Sequence, residues 1–150
     1  MTTTSVGALT NINQAERALS SAYRYAQVPT RAKAASSEAT KDLAEWMAPH
    51  DCTLRVCYFV PTAAVSGANT NTTHLNVLNR VLTGTSAGEL SSLELTSGND
   101  LVMGLKTDLN SGTAYSQDLP AGTILALQGE VVNTGLAVPE GTWIIGYDGA

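Results

Sequence analysis

The residues that most often bind metals are scarce in this chain, and their spacing does not predict a metal site. The two histidines, His50 and His74, belong to no H-x-H, H-x-x-E-H or C-x-x-C pattern of the kind that binds zinc. His50, Asp51 and Cys52 are consecutive, so their side chains diverge along the backbone and do not easily converge on one ion. We therefore expect no metal and no cofactor.

Nucleophilic catalysis is also not indicated, although serine, histidine and aspartate all occur. Ser86 lies between Gly84 and Gly88, but this stretch is typical of a hairpin loop and does not predict a hydrolase nucleophile. The carboxylates are scattered, one to a loop or strand, so the sequence pairs none of them for acid–base work on a glycoside. The expected protein is not an enzyme.

Aromatic side chains leave carbohydrate binding open as an alternative. Tyr58, Tyr115, Trp143 and Tyr147 are the aromatic residues that such a site could use. Trp143 and Tyr147 share one face of a predicted strand with Ile145, which favours a place in the core over a binding platform. Exposure of Trp143 or Tyr115 would favour a glycan-binding module.

The two cysteines are predicted to be free thiols. Cys52 and Cys57 are five residues apart on a predicted strand, so they point to opposite faces. At about 3.3 Å per residue they stand roughly 17 Å apart, which is too far for a disulfide. We expect Cys57 to be buried as a small apolar residue.

The chain from residue 50 to residue 150 predicts an antiparallel β-sandwich. Short alternating or apolar segments are separated by turns rich in Gly, Pro, Asn, Ser and Thr about every 8–15 residues. The predicted strands are Leu54–Val60, His74–Leu82, Glu89–Leu95, Leu101–Leu105, Thr123–Val132 and Thr142–Tyr147. The fold class is therefore mainly β, a jelly-roll-like sandwich or another Greek key.

Residues 1–49 differ from the rest of the chain and predict a partly helical N-terminal arm. They are rich in alanine and hold five of the eight Lys and Arg residues. A capping pattern at Asn13 and Glu16 predicts a helix that ends before Val28-Pro29. A second helix is predicted from Ser37 to Ala48, followed by Pro49. Both apolar stripes are thin, so we expect the arm to become ordered on a partner.

Composition and charge narrow the set of partners. The net charge is −5, and residues 51–150 carry three basic and nine acidic side chains, which argues against binding nucleic acid. No apolar segment approaches the ~18 residues of a membrane span, and the N-terminus lacks the basic and apolar regions of a signal peptide. We expect synthesis in a cytoplasm and no membrane partner.

Two stretches carry a resemblance to a known class. They are FVPTAAVSGANTNTTHLNVLN, from Phe59 to Asn79, and LPAGTILALQ…GLAVPEGTWIIGY, from Leu119 to Tyr147. Both resemble small β-sandwich virion proteins of tailed bacteriophages, the capsid decoration or cement class. The resemblance implies a non-enzymatic protein on the outer surface of a phage head, where it clamps neighbouring capsomers together. It also implies the major capsid protein as a partner and a homotrimer.

The arm is the predicted contact region with the shell or with a sister subunit. Its large apolar residues are the candidate contacts: Leu9, Leu19, Tyr23, Tyr25, Leu43, Trp46 and Met47. Sequence does not decide between the two partners, and a glycan-binding tail or fibre module remains the alternative.

Overall fold

The structure, a computed structural model, describes residues 23–35, 39–80 and 88–149. Within these residues the chain forms two antiparallel β-sheets and no helix. The strands are β1 (Tyr23–Thr30), β2 (Lys41–Met47), β3 (Cys52–Pro61), β4 (Thr72–Asn79), β5 (Gly88–Glu94), β6 (Thr107–Asp108), β7 (Gln117–Leu119), β8 (Ile124–Val132) and β9 (Gly141–Gly149). The prediction of an antiparallel β-sandwich is confirmed.

The strand order is that of a jelly roll. Sheet A has the order β1-β9-β3-β6, with β7 also paired to β3, and sheet B has the order β2-β8-β4-β5. Because β6 and β7 pair with opposite ends of β3, they act as one interrupted strand. The chain then pairs from its ends inward, first strand with last, second with second-last, and so on, as in a jelly roll.

The core lies between the inner faces of the two sheets. In β9 and, on either side of a register shift between Leu54 and Val56, in β3, residues at alternate positions are buried, and they pack against residues of β4 and β8 from sheet B. These central side chains are Leu54, Cys57, Phe59, Leu75, Val77, Leu125, Leu127, Trp143 and Ile145. A buried polar contact also joins the sheets, since the hydroxyls of Ser91 on β5 and Tyr115 before β7 are hydrogen-bonded.

The predicted helix from Ser37 to Ala48 is wrong, because residues 41–47 form strand β2 of sheet B. The register between β2 and β8 shifts between Asp42 and Ala44, which is a β-bulge. The bulge turns both Leu43 and Ala44 toward the core, and Trp46 follows two residues later. The buried positions therefore imitate helical spacing, although the backbone is extended.

The first predicted helix is also wrong where the structure describes it, since β1 begins at Tyr23. Residues before Tyr23 lie outside the described residues. Pro29 does not end the element but lies inside β1, which is an edge strand, where proline is tolerated. A domain boundary at residues 49 and 50 is therefore wrong too, because β1 and β2 belong to the two sheets of the sandwich.

The predicted strand from Leu101 to Leu105 is a turn. Leu101 is buried and bridges to Val65, but Met103 and Leu105 are exposed. The Gly104 N–H donates to the Pro61 carbonyl at 2.9 Å, which holds the turn against the end of β3. Leu101, Met103 and Leu105 alternate in the sequence, but they do not share one buried face.

Candidate interaction surface

The potentially catalytic and metal-binding residues are not gathered into one site. Among the described residues, no group of three or more His, Cys, Asp and Glu side chains could hold a metal ion. His50 accepts from Arg24 of sheet A at 3.1 Å, while His74 lies 3.6 Å from Glu130 within sheet B. No described helix is long and apolar enough to cross a membrane.

Both cysteines are free, and Cys57 is buried, as predicted. The prediction that Cys52 and Cys57 point to opposite faces is wrong, because the register of β3 shifts between Leu54 and Val56 and both side chains lie in the core. Burial raises the pKa of the Cys57 thiol to about 12, and the neighbouring Trp143 and Tyr115 side chains offset this only in part. Burial and then the charge of Asp51 raise the pKa of Cys52 as well. A thiol held in its neutral form is a weak nucleophile, so these side chains serve the core.

Of the four aromatic residues named for a glycan platform, three lie inside the sandwich and Tyr58 points outward. Trp143 is fully buried, Tyr115 is 6% exposed, and Tyr147 packs against the core and against Trp46 at 5.0 Å between ring centroids. Burial also raises the pKa of the Tyr115 hydroxyl, which therefore stays neutral. Trp143 and Tyr115 are therefore not exposed, so the feature that would favour a glycan-binding module is not found.

A depression of about 330 Å³ lies where β3 meets β7, and its polar groups have structural partners. Asp118 Oδ1 accepts from the Thr53 hydroxyl at 3.1 Å, and Asp51 Oδ1 accepts from the Ala121 N–H at 2.8 Å. These bonds fasten the interrupted strand and the turn after it to β3. They do not form a reactive pair.

The outer face of sheet A is the most distinctive surface of the molecule. Because Trp143 and Ile145 point inward on β9, Ile144 points outward, and by the same alternation Val56, Tyr58 and Val60 point outward on β3. All four are half-buried. On β1, Ala26 and Val28 pack on the core, so Tyr23 and Tyr25 point outward. We call the surface formed by Tyr23, Tyr25, Val56, Tyr58, Val60 and Ile144 the apolar face.

The side chains of the apolar face pack in rows that cross the strands. Tyr25, Gly146 and Val56 are in register on β1, β9 and β3. A methyl group added to Gly146 would lie 2.4 Å from Val56 Cγ2 and 3.0 Å from the Tyr25 ring. The two side chains thus close over the glycine, and Tyr23 stacks edge-on against Tyr25 at 6.5 Å. The result is a group of packed apolar side chains on the outer face of sheet A, with the Arg55–Asp148 ion pair, at 2.6 Å, beside it on the same face.

The turn at residues 101–106 extends this surface at the far end of β3. Val102, Met103 and Leu105 are each more than half exposed. The Lys106 ammonium lies 4.5 Å from the centre of the Tyr58 ring, which anchors the turn beside the apolar face through a cation–π contact. Exposed apolar side chains on an anchored turn are suited to contact with another protein.

The outer face of sheet B has the opposite character. At its centre, the Asn76 amide donates to Glu130 at 2.7 Å and to Gln128 at 3.3 Å, and its carbonyl accepts from Ser92 at 2.6 Å. Arg80 and Asp42 form an ion pair at 2.6 Å. Polar groups that are satisfied within the sheet need no partner, so sheet B can face water.

The predicted contact residues fall into three groups. Tyr23, Tyr25 and Met47 are exposed, with 42, 57 and 59% of their surfaces accessible. Trp46 is half-buried against the core. Leu43 is 1% exposed in the core, so its prediction as a surface contact is wrong, because the bulge in β2 turns it inward. Leu9 and Leu19 lie outside the described residues.

Sequence reasoning missed the larger part of the apolar face. Val56, Tyr58, Val60 and Ile144 lie on strands that are apolar at consecutive positions, a pattern that also fits burial on both faces. The run of consecutive apolar residues was itself the signal. A strand of a sandwich has only one face toward the core, so a second apolar face must meet something else.

No protein-family model and no curated protein matches the chain in sequence. Two similar solved structures come from infectious bursal disease virus. The VP2 subviral particle is 10% identical with a TM-score of 0.43, and strain Gx is 12% identical with a TM-score of 0.42. Each alignment covers 83% of this chain and 32% of the other chain, so this chain spans about a third of their length.

Proposed function

We propose that the chain is a structural protein of a virus particle, a decoration or cement protein that binds the outer surface of a phage head. It would stabilise contacts between capsomers, with the major capsid protein as its partner and with copies arranged in threes, as the sequence resemblance implies. Its place would be the assembled virion, after synthesis in the host cytoplasm.

The observation that supports this role is the apolar face. A monomeric soluble protein rarely leaves a large contiguous apolar patch exposed, and such a patch marks a surface that binds another macromolecule. The contrast within one molecule strengthens the argument. The outer face of sheet B is centred on the hydrogen-bonded Asn76, whereas that of sheet A presents Tyr25, Tyr58 and Ile144 beside one ion pair.

The jelly roll is compatible with this proposal but does not select it, because viral capsid proteins, lectins and cupins share the architecture. A lectin would need accessible aromatic residues beside polar groups, and Trp143 and Tyr115 are buried. The apolar face instead offers aliphatic and tyrosine side chains across three neighbouring strands. Such a surface favours protein over sugar.

Binding to undecorated phage heads tests the proposal directly. The full chain is titrated onto heads stripped of outer proteins, and bound and free protein are separated by sedimentation. We expect saturable binding with a fixed number of copies per head. Ile144→Glu places a carboxylate on the apolar face, and burying it in the contact should weaken binding at least tenfold.

The matched control is Ile124→Glu. Ile124 is also half-buried and begins β8 of sheet B, so the same substitution changes charge and volume equally on the other sheet. It should bind like the unchanged protein. Failure of the unchanged protein to saturate the heads would overturn the proposal, as would equal loss of binding in both variants.

A further inference from the structure

Among the described sheet edges, strand β1 is the least protected against pairing with another strand, because its proline, Pro29, lies in its C-terminal half. Natural edges are protected by bulges, charged side chains, prolines or very short length. β2 has a bulge and three charged residues, β5 pairs with β4 through a bulge and carries Glu89 and Glu94, and β6 and β7 are two and three residues long. Three of the four described edges are therefore protected.

β1 has eight residues and pairs with β9 without a break from Tyr23 to Thr30. Its one charged residue is Arg24, whose guanidinium donates to His50 Nε2 at 3.1 Å across the end of the sandwich. The C-terminal end of β1 approaches β2, since Arg31 N–H donates to the Leu43 carbonyl. The unprotected part of the edge is its N-terminal half.

Pro29 indicates which backbone groups lie on the free side. In an antiparallel strand the N–H and C=O of one residue point to the same side, and the side alternates along the chain. A proline is tolerated where its nitrogen faces away from the neighbouring strand. The backbone groups of Tyr23, Tyr25, Gln27 and Pro29 therefore point away from β9, and three of these residues have an N–H to donate.

We propose that a second copy of this chain occupies this edge, with the two β1 strands antiparallel and Tyr25 opposite Tyr25 of the second copy. In this register Tyr23 lies opposite Gln27 of the second copy. Three reciprocal residue pairs then form about six backbone hydrogen bonds, and none requires an N–H from Pro29. A register centred on Gln27 would place Pro29 of each copy opposite Tyr25 of the other and would lose two of these bonds.

Two features of the surface fit this partner. The apolar face extends to the β1 edge. Pairing through β1 therefore joins the apolar faces of the two copies into one surface, with Tyr23 and Tyr25 of both copies at its centre. Arg24 lies opposite Ala26 of the second copy, so the two cations of the strand pair do not face each other. Self-complementarity of this kind is what a two-fold contact requires.

This inference does not depend on the proposed function. A two-fold contact through β1 is compatible with three-fold assembly through another surface, and the two together would link neighbouring trimers on a shell. It is tested in solution with purified full-length chain and without heads, so its failure is separate from a failure of head binding.

Disulfide trapping tests the register. Residues directly opposite in an antiparallel pair have Cβ atoms about 4.5–5.5 Å apart, within reach of a disulfide. Under mild oxidation, Tyr25→Cys should give a covalent dimer on a non-reducing gel. Tyr23→Cys alone should not, because its copies would lie about 13 Å apart, but mixed with Gln27→Cys it should. The native cysteines are buried and do not interfere.

The matched control is Glu45→Cys, on the exposed part of the β2 edge, which should stay monomeric on the gel. A non-covalent check is Tyr25→Lys, which places two ammonium groups opposite each other and should shift the sedimentation profile away from paired species. No covalent dimer from Tyr25→Cys, or equal dimer from Glu45→Cys, would overturn the proposal. So would trapping by Tyr23→Cys alone.

Discussion

The hydrogen bond between Ser91 and Tyr115 should stabilise the contact between the two sheets, and its contribution can be measured. Ser91 and Tyr115 are 9 and 6% exposed, so water cannot replace a lost partner. Tyr115→Phe leaves the Ser91 hydroxyl buried without that partner, which costs about 1–3 kcal/mol. Ser91→Ala should cost a similar amount for the reciprocal reason.

Removing both hydroxyls should cost less than the sum of the two single changes, by about 1 kcal/mol, because no unpaired hydroxyl then remains. Urea unfolding measures this directly. With a slope of about 2 kcal/mol per molar, a loss of about 2 kcal/mol lowers the midpoint by about 1 M. In a domain of this size it also lowers Tm by about 4–8 °C. Additive losses within about 0.3 kcal/mol would show that the two hydroxyls are not coupled, and the reasoning would be refuted.

Three further outcomes are expected. Because the pKa of Cys57 is raised in the folded chain, the unfolded chain loses the thiol proton at a lower pH than the folded chain does. As the pH rises from about 9 to 12, the free energy of unfolding should therefore fall by about 1.4 kcal/mol per pH unit. Urea midpoints from pH 8 to 10.5 should show this fall, and Cys57→Ala should reduce it; identical slopes would contradict the assignment. Gly146→Ala should cost about 1–3 kcal/mol, because the added methyl group overlaps Val56, and a thermal melt unchanged by the substitution would show that the face is looser than described. Leu43→Ala should cost about 2–5 kcal/mol, whereas Met47→Ala should cost less than about 0.5 kcal/mol, and similar losses in urea unfolding would place both residues on the same side of β2.

The fold class could be predicted from the sequence, and the way the N-terminal residues join it could not. Turn residues and alternation give the sandwich because they act locally. In β2, a bulge brings Leu43 and Ala44 to the same side, and the buried positions then match a helix as well as a strand. The choice between them is made by pairing with β8, which lies about 80 residues further along the chain. Local patterns carry no information about that partner.

Which large apolar residues are exposed could be predicted only in part, for a similar reason. Tyr23, Tyr25 and Met47 stand out as large apolar residues in a polar segment, and they are exposed. Tyr58 was named only as an aromatic residue that a sugar site could use and Ile144 was not named, because within an apolar strand an outward residue has the same identity as an inward one. Which of the two faces meets the core is fixed by the opposite sheet, and it becomes visible only once the sheets are assembled.

The pairing of the first strand with the last has a consequence for synthesis on the ribosome. β1 finds its partner in β9, where Tyr23 is in register with Asp148, and β3 pairs with the other side of the same strand. Neither β1 nor β3 can complete its ladder until β9 has left the exit tunnel, so sheet A stays incomplete until nearly the whole chain has been made. Contacts of such long sequence separation slow folding and prolong exposure to aggregation. A nonsense or frameshift mutation before Gly141 should therefore yield chains that are degraded or insoluble, rather than a smaller stable sandwich.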